Sequence, residues 1–109
     1  MKTLFKNDKY RKSRGGYSRI LEIHCSQCGK YVLTYQKDGI GALKRLYLDR
    51  IIAPETLAEL QNQELKAIPN LRCSLCDSHI GSPYIYEKES RKAYILNHGS
   101  ISKVISKMI

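Results

Sequence analysis

Two Cys-x-x-Cys pairs contain every cysteine of this 109-residue chain. They are Cys25 with Cys28 and Cys73 with Cys76, so no thiol is left over for other chemistry. A Cys-x-x-Cys turn holds two sulfurs about one tetrahedral edge apart, and two such turns that face each other form a closed site for one Zn²⁺ ion. We therefore expect the four cysteines to bind one structural zinc ion, which would stabilise a domain this small.

The residues beside the cysteines fit such a site. Gly29 and Asp77 each follow the second cysteine of a pair. Glycine, and to a lesser extent aspartate, adopts the left-handed backbone conformation that turns N–H groups toward the sulfurs. His24 and His79 also lie close to the pairs, but with four thiolates present neither is required as a ligand. We expect both histidines to flank the site.

Three other uses of the cysteines stay open at the level of sequence. They are disulfide pairs, a redox-active motif and an iron–sulfur cluster. Zinc is favoured because a redox motif does not normally occur in duplicate. It is also favoured because we expect a cytoplasmic protein, in which thiols stay reduced. That expectation follows from the absence of an apolar region of the signal-peptide type after the basic N-terminus. No apolar run is long enough to cross a membrane.

The charge is distributed unevenly along the chain. The formal net charge is +9, and residues 1–19 hold seven lysines and arginines against the single acid Asp8. Because this segment has few aliphatic side chains to bury, we predict a flexible basic arm over residues 1–19. Residues 20–109 are predicted to form a single zinc-binding, β-rich domain.

The hydrophobic pattern predicts a mainly β, small α+β fold with one helix at about 54–66, opened by Pro54. Its apolar face would carry Leu57, Leu60 and Leu65. Strands are predicted over 20–24, 30–36, 42–49, 83–87 and 92–96, with a polar turn at 88–91. Asp38-Gly39 indicates a hairpin between the second and third strands. The segment 101–109 fits either a strand or a short helix.

The second cysteine pair and its surroundings resemble the β-tent families: the Yippee proteins, the cereblon ligand-binding domain and the type B methionine sulfoxide reductases. The resemblance lies in residues 73–81 (CSLCDSHIG), in Tyr84 and Tyr86, and in the strand predicted over 92–96. It implies two antiparallel sheets joined at their apex by zinc, with one Cys-x-x-Cys on each sheet. An elaborated zinc ribbon is the other architecture considered. Forty-four residues separate Cys28 from Cys73, more than the roughly 15 to 20 of a compact ribbon.

Enzyme chemistry is disfavoured by the residues themselves. The reductases need a nucleophilic cysteine besides the zinc ligands, and this chain has none. The sequence also lacks a Gly-x-Ser-x-Gly elbow, and Gly39-Ile40-Gly41 lacks the third glycine of a dinucleotide-binding motif. We therefore expect a protein that is not an enzyme.

Basic residues interleaved with tyrosine predict nucleic-acid binding, because cations neutralise phosphates and aromatic rings stack on bases. The candidates in the arm are Lys6, Lys9, Tyr10, Arg11, Lys12, Arg14, Tyr17 and Arg19. Those on the predicted hairpin are Lys37, Lys44 and Arg45. We expect RNA or a ribonucleoprotein as the partner. The alternatives are an adaptor that docks proteins on a sheet face or on the predicted helix, and a small-molecule reader with a tyrosine-lined groove.

Overall fold

The computed structural model describes residues 5–106, which contain eight strands in two four-stranded antiparallel sheets. The strands are β1 (Ser18–Cys25), β2 (Tyr31–Asp38), β3 (Arg45–Tyr47), β4 (Ile51–Ala53), β5 (Leu71–Arg72), β6 (His79–Tyr86), β7 (Arg91–Leu96) and β8 (Ile101–Ile105). The first sheet has the strand order β4-β2-β1-β8, and the second has the order β3-β7-β6-β5. The predicted mainly β fold is confirmed.

The core contains apolar side chains of both sheets. On the first sheet Leu21 lies opposite Tyr35 and Ile23 lies opposite Leu33. These four residues are buried together with Leu46, Ile80 and Tyr94 of the second sheet. Alternation of apolar residues along β1 places one face of the strand in this core. Burial of these side chains provides the main driving force for folding.

The C-terminal half agrees with the predicted pattern. Strands β6 and β7 form a hairpin that pairs Tyr86 with Arg91 next to a polar turn. The segment that fitted either a strand or a helix forms β8 over Ile101–Ile105 and pairs with β1. Residues 107–109 of that segment lie outside the described residues.

The hairpin predicted at Asp38-Gly39 is wrong. Strand β2 belongs to the first sheet and β3 to the second, so residues 39–44, which we call the crossover, pass between the sheets. Gly39 has a φ of +78°, as a turn requires, but its N–H donates to the carbonyl of Tyr17. Strand β2 pairs antiparallel with β1 and β4, whereas β3 pairs antiparallel with β7.

The single helix predicted at about 54–66 is also wrong in extent. One short α-helix, Glu55–Ala58, follows Pro54, and 3₁₀ turns cover Glu59–Asn62 and Leu65–Ala67. The Lys92 ammonium donates to the carbonyl oxygens of Gln61 and Gln63 at 2.6 and 2.7 Å. These bonds satisfy backbone groups outside the helical pattern. The three leucines of the segment, Leu57, Leu60 and Leu65, pack against the core and do not form a free docking surface.

The structure differs from the predicted flexible arm between residues 5 and 19. Lys9–Ser13 form a helical turn, α1, and the Asp8 carboxylate caps it by accepting from the N–H groups of Tyr10 and Arg11. Strand β1 begins at Ser18, so the predicted boundary at residue 20 falls inside a strand. Polar and aromatic contacts, rather than aliphatic burial, hold this segment against the sheets. In the part of the chain that the structure describes, no helix is long and apolar enough to span a membrane.

Candidate metal centre

The four cysteine sulfurs form one cluster, with all Sγ atoms within 4.8 Å of one another. Across the two pairs, the Sγ atoms of Cys25 and Cys76 are 3.7 Å apart, and those of Cys28 and Cys73 are 3.5 Å apart. A tetrahedral site with Zn–S bonds of about 2.3 Å has edges of about 3.8 Å. The cluster therefore has the size and the donor set of a four-thiolate metal site.

Each cysteine pair comes from a different sheet. Cys25 is the last residue of β1, and its turn leads into β2. Cys73 directly follows β5, and its turn leads into β6. A metal ion bound to all four sulfurs would therefore join the two sheets at one end. Cys25 and Cys73 are buried, whereas Cys28 and Cys76 are exposed.

The two cysteine turns share one backbone conformation. Gly29 has a φ of +79° and Asp77 a φ of +60°, as their positions predicted. The Gly29 N–H donates to the Cys25 carbonyl at 2.8 Å, and the Asp77 N–H donates to the Cys73 carbonyl at 3.0 Å. A left-handed residue at this place closes each turn and lets backbone N–H groups point toward the sulfurs.

A second hydrogen bond repeats in both turns. The Cys25 N–H donates to the Lys30 carbonyl at 2.8 Å, and the Cys73 N–H donates to the Ser78 carbonyl at 3.0 Å. The backbone therefore holds each pair of sulfurs in place independently of any ion. Such preorganisation limits the conformational entropy that is lost on metal binding.

The surroundings of two thiols favour the metal-binding thiolate form. The hydrogen bond from the Ser78 hydroxyl, aided by backbone N–H groups, lowers the pKa of Cys25 to about 6 against the opposing effect of burial. Backbone N–H groups of Cys76 and Leu75 lower the pKa of Cys73.

The four thiols compete for negative charge. The Lys30 N–H lowers the pKa of Cys28, but burial and the other three sulfurs raise it more, to about 12. Like charges this close oppose full ionisation unless a cation lies among them. A divalent metal ion is such a cation, and four sulfur ligands leave no open coordination position for catalysis.

The two flanking histidines are engaged elsewhere, and neither belongs to the sulfur cluster. In His24, Nδ1 lies 3.1 Å from the carbonyl oxygen of Gly29. In His79, Nε2 lies 3.0 Å from the carbonyl oxygen of Gly81 and 3.1 Å from the hydroxyl of Ser82. The histidines therefore brace the backbone next to the site, as their positions predicted.

The basic residues predicted to bind nucleic acid do not form one surface. Lys37 is only 5% exposed, and its ammonium donates to the Gly39 carbonyl at 3.0 Å. The guanidinium of Arg14 pairs with Glu89 at 3.0 Å. Tyr10 packs against the guanidinium of Arg91. The predicted position of Lys37 at an exposed hairpin tip is wrong, since β2 and β3 belong to different sheets.

The other candidates keep some exposure. Lys6, Lys9, Lys12, Tyr17 and Lys44 are exposed, and Arg11, Arg19 and Arg45 are partly buried. The Lys6 ammonium bonds the Asp49 carbonyl. Arg11 donates to the Ser18 hydroxyl at 2.9 Å, and Arg45 donates to the Tyr84 hydroxyl at 2.8 Å. Among the exposed candidates, Lys9, Lys12 and Lys44 form no ion pair within residues 5–106.

The burial of two arginines at the other end of the sheets was not predicted from the sequence. Arg50 is 1% exposed, and its guanidinium pairs with Asp8 at 2.6 Å and with Asp38 at 2.9 Å. These contacts join the N-terminal segment, the end of β2 and the segment after β3. The interactions raise the pKa of Arg50 in spite of burial, so its charge is permanent.

Arg91, at the start of β7, forms the second buried cluster. Its guanidinium pairs with Asp49 at 2.6 Å and with Glu89 at 3.0 Å. It also stacks between the rings of Tyr10 and Tyr47, at 4.1 and 3.7 Å from their centroids. Cation–π contacts of this kind are strongest where water is excluded. No local motif identifies either arginine, because Asp8 and Asp49 each lie 42 residues away along the chain.

No protein-family model matches the chain, and no match to it was found among curated proteins or solved structures. The fold and the site define a small β-rich protein whose four clustered cysteines can bind a metal ion. The resemblance to the β-tent families stays a prediction.

Proposed function

We propose that this protein is a non-enzymatic zinc-binding module that binds nucleic acid, with RNA or a ribonucleoprotein as its partner. A closed tetrahedral set of four thiolates suits either Zn²⁺ or an iron–sulfur centre, and we propose zinc. In this role the metal fixes the fold, and the binding chemistry belongs to side chains elsewhere.

The observation that carries this proposal is the unequal division of charge between the interior and the surface. Asp38, Asp49 and Glu89 pair with the buried arginines Arg50 and Arg91. Within residues 5–106, the exposed lysines Lys9, Lys12, Lys44 and Lys103 make no ion pair. No carboxylate therefore pairs directly with these four lysines, which leaves them available to the phosphates of a polyanion.

Two of these lysines, Lys44 and Lys103, line a groove of about 600 Å³. It lies between β3, the edge of the second sheet, and β8, the edge of the first, and we call it the edge groove. The charged side chains that line it are Lys44, Arg45 and Lys103, with no carboxylate among its lining residues. Apolar side chains between these cations, such as Leu43 and Ile95, suit the faces of unpaired bases.

The proposal is tested by fluorescence anisotropy with a labelled single-stranded RNA at several salt concentrations. Charge reversal is better than truncation, because the N-terminal segment is part of the fold. The double variant Lys44→Glu, Lys103→Glu should weaken binding about tenfold or more and reduce the magnitude of the salt slope by about 0.7 per lost contact.

The matched control reverses two exposed lysines outside the groove, Lys66→Glu and Lys88→Glu. These leave the edge groove unchanged while altering the net charge equally. Equal losses in both double variants would mean non-specific attraction, and no RNA affinity in the zinc-loaded native protein would overturn the proposal.

A second candidate is a protein-interaction adaptor. It is favoured by β8, an edge strand on which Val104 and Ile105 are each more than half exposed. Edge strands pair readily with another chain. A protein partner whose capture survives nuclease and moderate salt would favour this candidate over RNA binding.

A further inference from the structure

A small cavity lies beside the crossover, where the chain passes from the first sheet to the second. Its volume is about 80 Å³, and Arg14, Lys37, Lys44, Arg45 and the ring of Tyr47 are among its lining residues. We propose that this cavity binds a phosphate monoester, such as the terminal phosphate of a nucleic-acid strand. The nucleic-acid source rests on the proposed function, whereas the recognition of phosphate does not.

Lys37 gives the strongest indication of an anionic ligand. Lys37 is only 5% exposed, yet within residues 5–106 it makes no ion pair. Its ammonium has three donors, and the Gly39 carbonyl is the acceptor of one. Burial of a charge without a counterion is unfavourable, because desolvation is not offset by an attraction. An anion in the cavity would remove this unfavourable term.

The residue opposite Lys37 increases the positive potential. Arg19 on β1 is its cross-strand partner, and the Arg19 Nε is buried without a hydrogen-bond partner in the described part of the chain. Like charges directly opposite each other destabilise a sheet. Burial, with a further effect of Arg19 and Lys103, lowers the pKa of Lys37, and Asp38 opposes this shift.

The nearby carboxylates do not neutralise the cavity, because other groups already use them. Asp38 lines the cavity but pairs with Arg50 at 2.9 Å and accepts from the Ser18 hydroxyl at 2.7 Å. Glu89 pairs with Arg14 at 3.0 Å. Asp38 therefore offsets the charge of Lys37 only in part, and none of Lys37, Lys44 and Arg45 forms an ion pair within residues 5–106.

The donors also suit a phosphate group. The Tyr47 hydroxyl accepts from Arg14 at 3.0 Å and from Arg45 at 3.4 Å, so its own proton is left to donate. A phosphate monoester offers three acceptor oxygens and a charge of about −1.5 to −2, which matches several donors and unpaired cations. An internal diester has only two free oxygens and one charge.

The size and position of the cavity favour the terminal phosphate of a nucleic-acid strand. About 80 Å³ holds two or three waters at roughly 30 Å³ each, which is enough for a phosphate group but too small for a base. Residues 42–45 line both the cavity and the edge groove. A nucleic-acid strand bound in the edge groove would therefore have its terminal phosphate close to the cavity.

The test compares one RNA sequence with a 5′-phosphate, with a 3′-phosphate and with no terminal phosphate, bound to the zinc-loaded full chain. We expect one phosphorylated form to bind about tenfold tighter than the unphosphorylated form. The variant Lys37→Met should abolish that preference, and the exposed control Lys88→Met should keep it. Equal affinity for all three RNAs would overturn the cavity while leaving the proposed function intact.

Stability gives a second readout of the Lys37→Met variant. Because the substitution removes an unpaired buried cation opposite Arg19, thermal unfolding should occur at the same or a higher temperature than in the native protein. A clear loss of stability would mean that the hydrogen bond from Lys37 to the Gly39 carbonyl outweighs the unfavourable burial of its charge, which contradicts the premise of the proposed site.

Titration with inorganic phosphate and with a nucleoside monophosphate, followed by amide NMR shifts, separates the two proposals. Shifts at the crossover that Lys37→Met removes, in a protein that binds none of the RNAs, would support the cavity and overturn nucleic-acid binding. No shift with either ligand, together with equal RNA affinities, would contradict the cavity itself.

Discussion

The two ends of the first sheet are joined to the rest of the molecule by different chemistries. Strand β1 begins at Ser18, beside the buried Arg50 and its carboxylates, and ends at Cys25 in the sulfur cluster. At the cysteine end, two turns with the same hydrogen bonds face each other. At the arginine end, contacts come from the N-terminal segment and from residues distant in the sequence.

The difference matters for stability. A structural metal contributes binding free energy directly to folding. A buried ion pair contributes little net stability, because desolvation offsets the attraction, but removal of one partner is costly. We therefore expect the cysteine end to decide whether the protein folds, and the arginine end to decide how the N-terminal segment is held.

The largest effect is expected from loss of a metal ligand, in the variant Cys73→Ser. Structural zinc contributes about 10–16 kcal/mol in small domains, which is comparable to the whole stability of a protein this size. The variant should lose its metal and its cooperative unfolding transition, as measured by native mass spectrometry and far-UV circular dichroism.

The control for this variant is Ser74→Ala, which lies in the same turn without donating a ligand. It should retain one zinc ion and a native melting curve. A chelator should reproduce the effect of Cys73→Ser on the native protein. A folded protein with two disulfides and no metal would contradict the expectation that a metal ion stabilises the cysteine end.

A smaller effect is expected from the arginine end, in the variant Arg50→Met. The substitution leaves the Asp38 carboxylate buried without its guanidinium partner, which should lower the free energy of unfolding by about 3–5 kcal/mol. Urea unfolding of the zinc-loaded protein measures this loss. The zinc content should stay at one ion per chain.

The exposed Arg72, near the cysteine end, provides the matched control. The variant Arg72→Met removes the same charge where burial is absent, so it should change the unfolding free energy by less than about 1 kcal/mol. Similar losses in the two variants would show that burial does not increase the cost of removing Arg50 from its ion pairs.

The sequence predicted the cysteine end and missed the arginine end for a physical reason. The cysteine turns are local: four consecutive residues and the Gly29 or Asp77 after them determine their conformation. Arg50 becomes recognisable only when the fold brings it to Asp8, 42 residues away. The pattern of hydrophobic residues predicted most strands, because such residues are needed wherever a strand faces a core.

The mistaken predictions have the same origin. Asp38-Gly39 does turn the chain, but the next strand pairs with β7 rather than with β2, and only the sheet order reveals this. The composition of residues 1–19 suggests disorder because it contains few aliphatic side chains. Ion pairs and stacking on Tyr10 hold the segment instead.

The smallest predicted effect concerns the other partner of Arg50, in the variant Asp8→Asn. The side chain of Asp8 is 40% exposed, so its pair with Arg50 should contribute less than about 1 kcal/mol. Asparagine caps helices about as well as aspartate, so the substitution removes the charge while keeping the cap of α1.

The pH dependence identifies this contribution. A hydrogen bond from Arg50 lowers the pKa of Asp8 from 3.8 to about 2, against the opposing effect of burial. Because the folded pKa lies below the unfolded one, the stabilisation is complete above pH 3.8 and is lost as the pH falls toward 2. The difference in unfolding free energy between native protein and Asp8→Asn should therefore close over that range. The exposed control Glu59→Gln should show no such closure, and a difference that persists at pH 2 would mean that Asp8 acts through its shape rather than its charge.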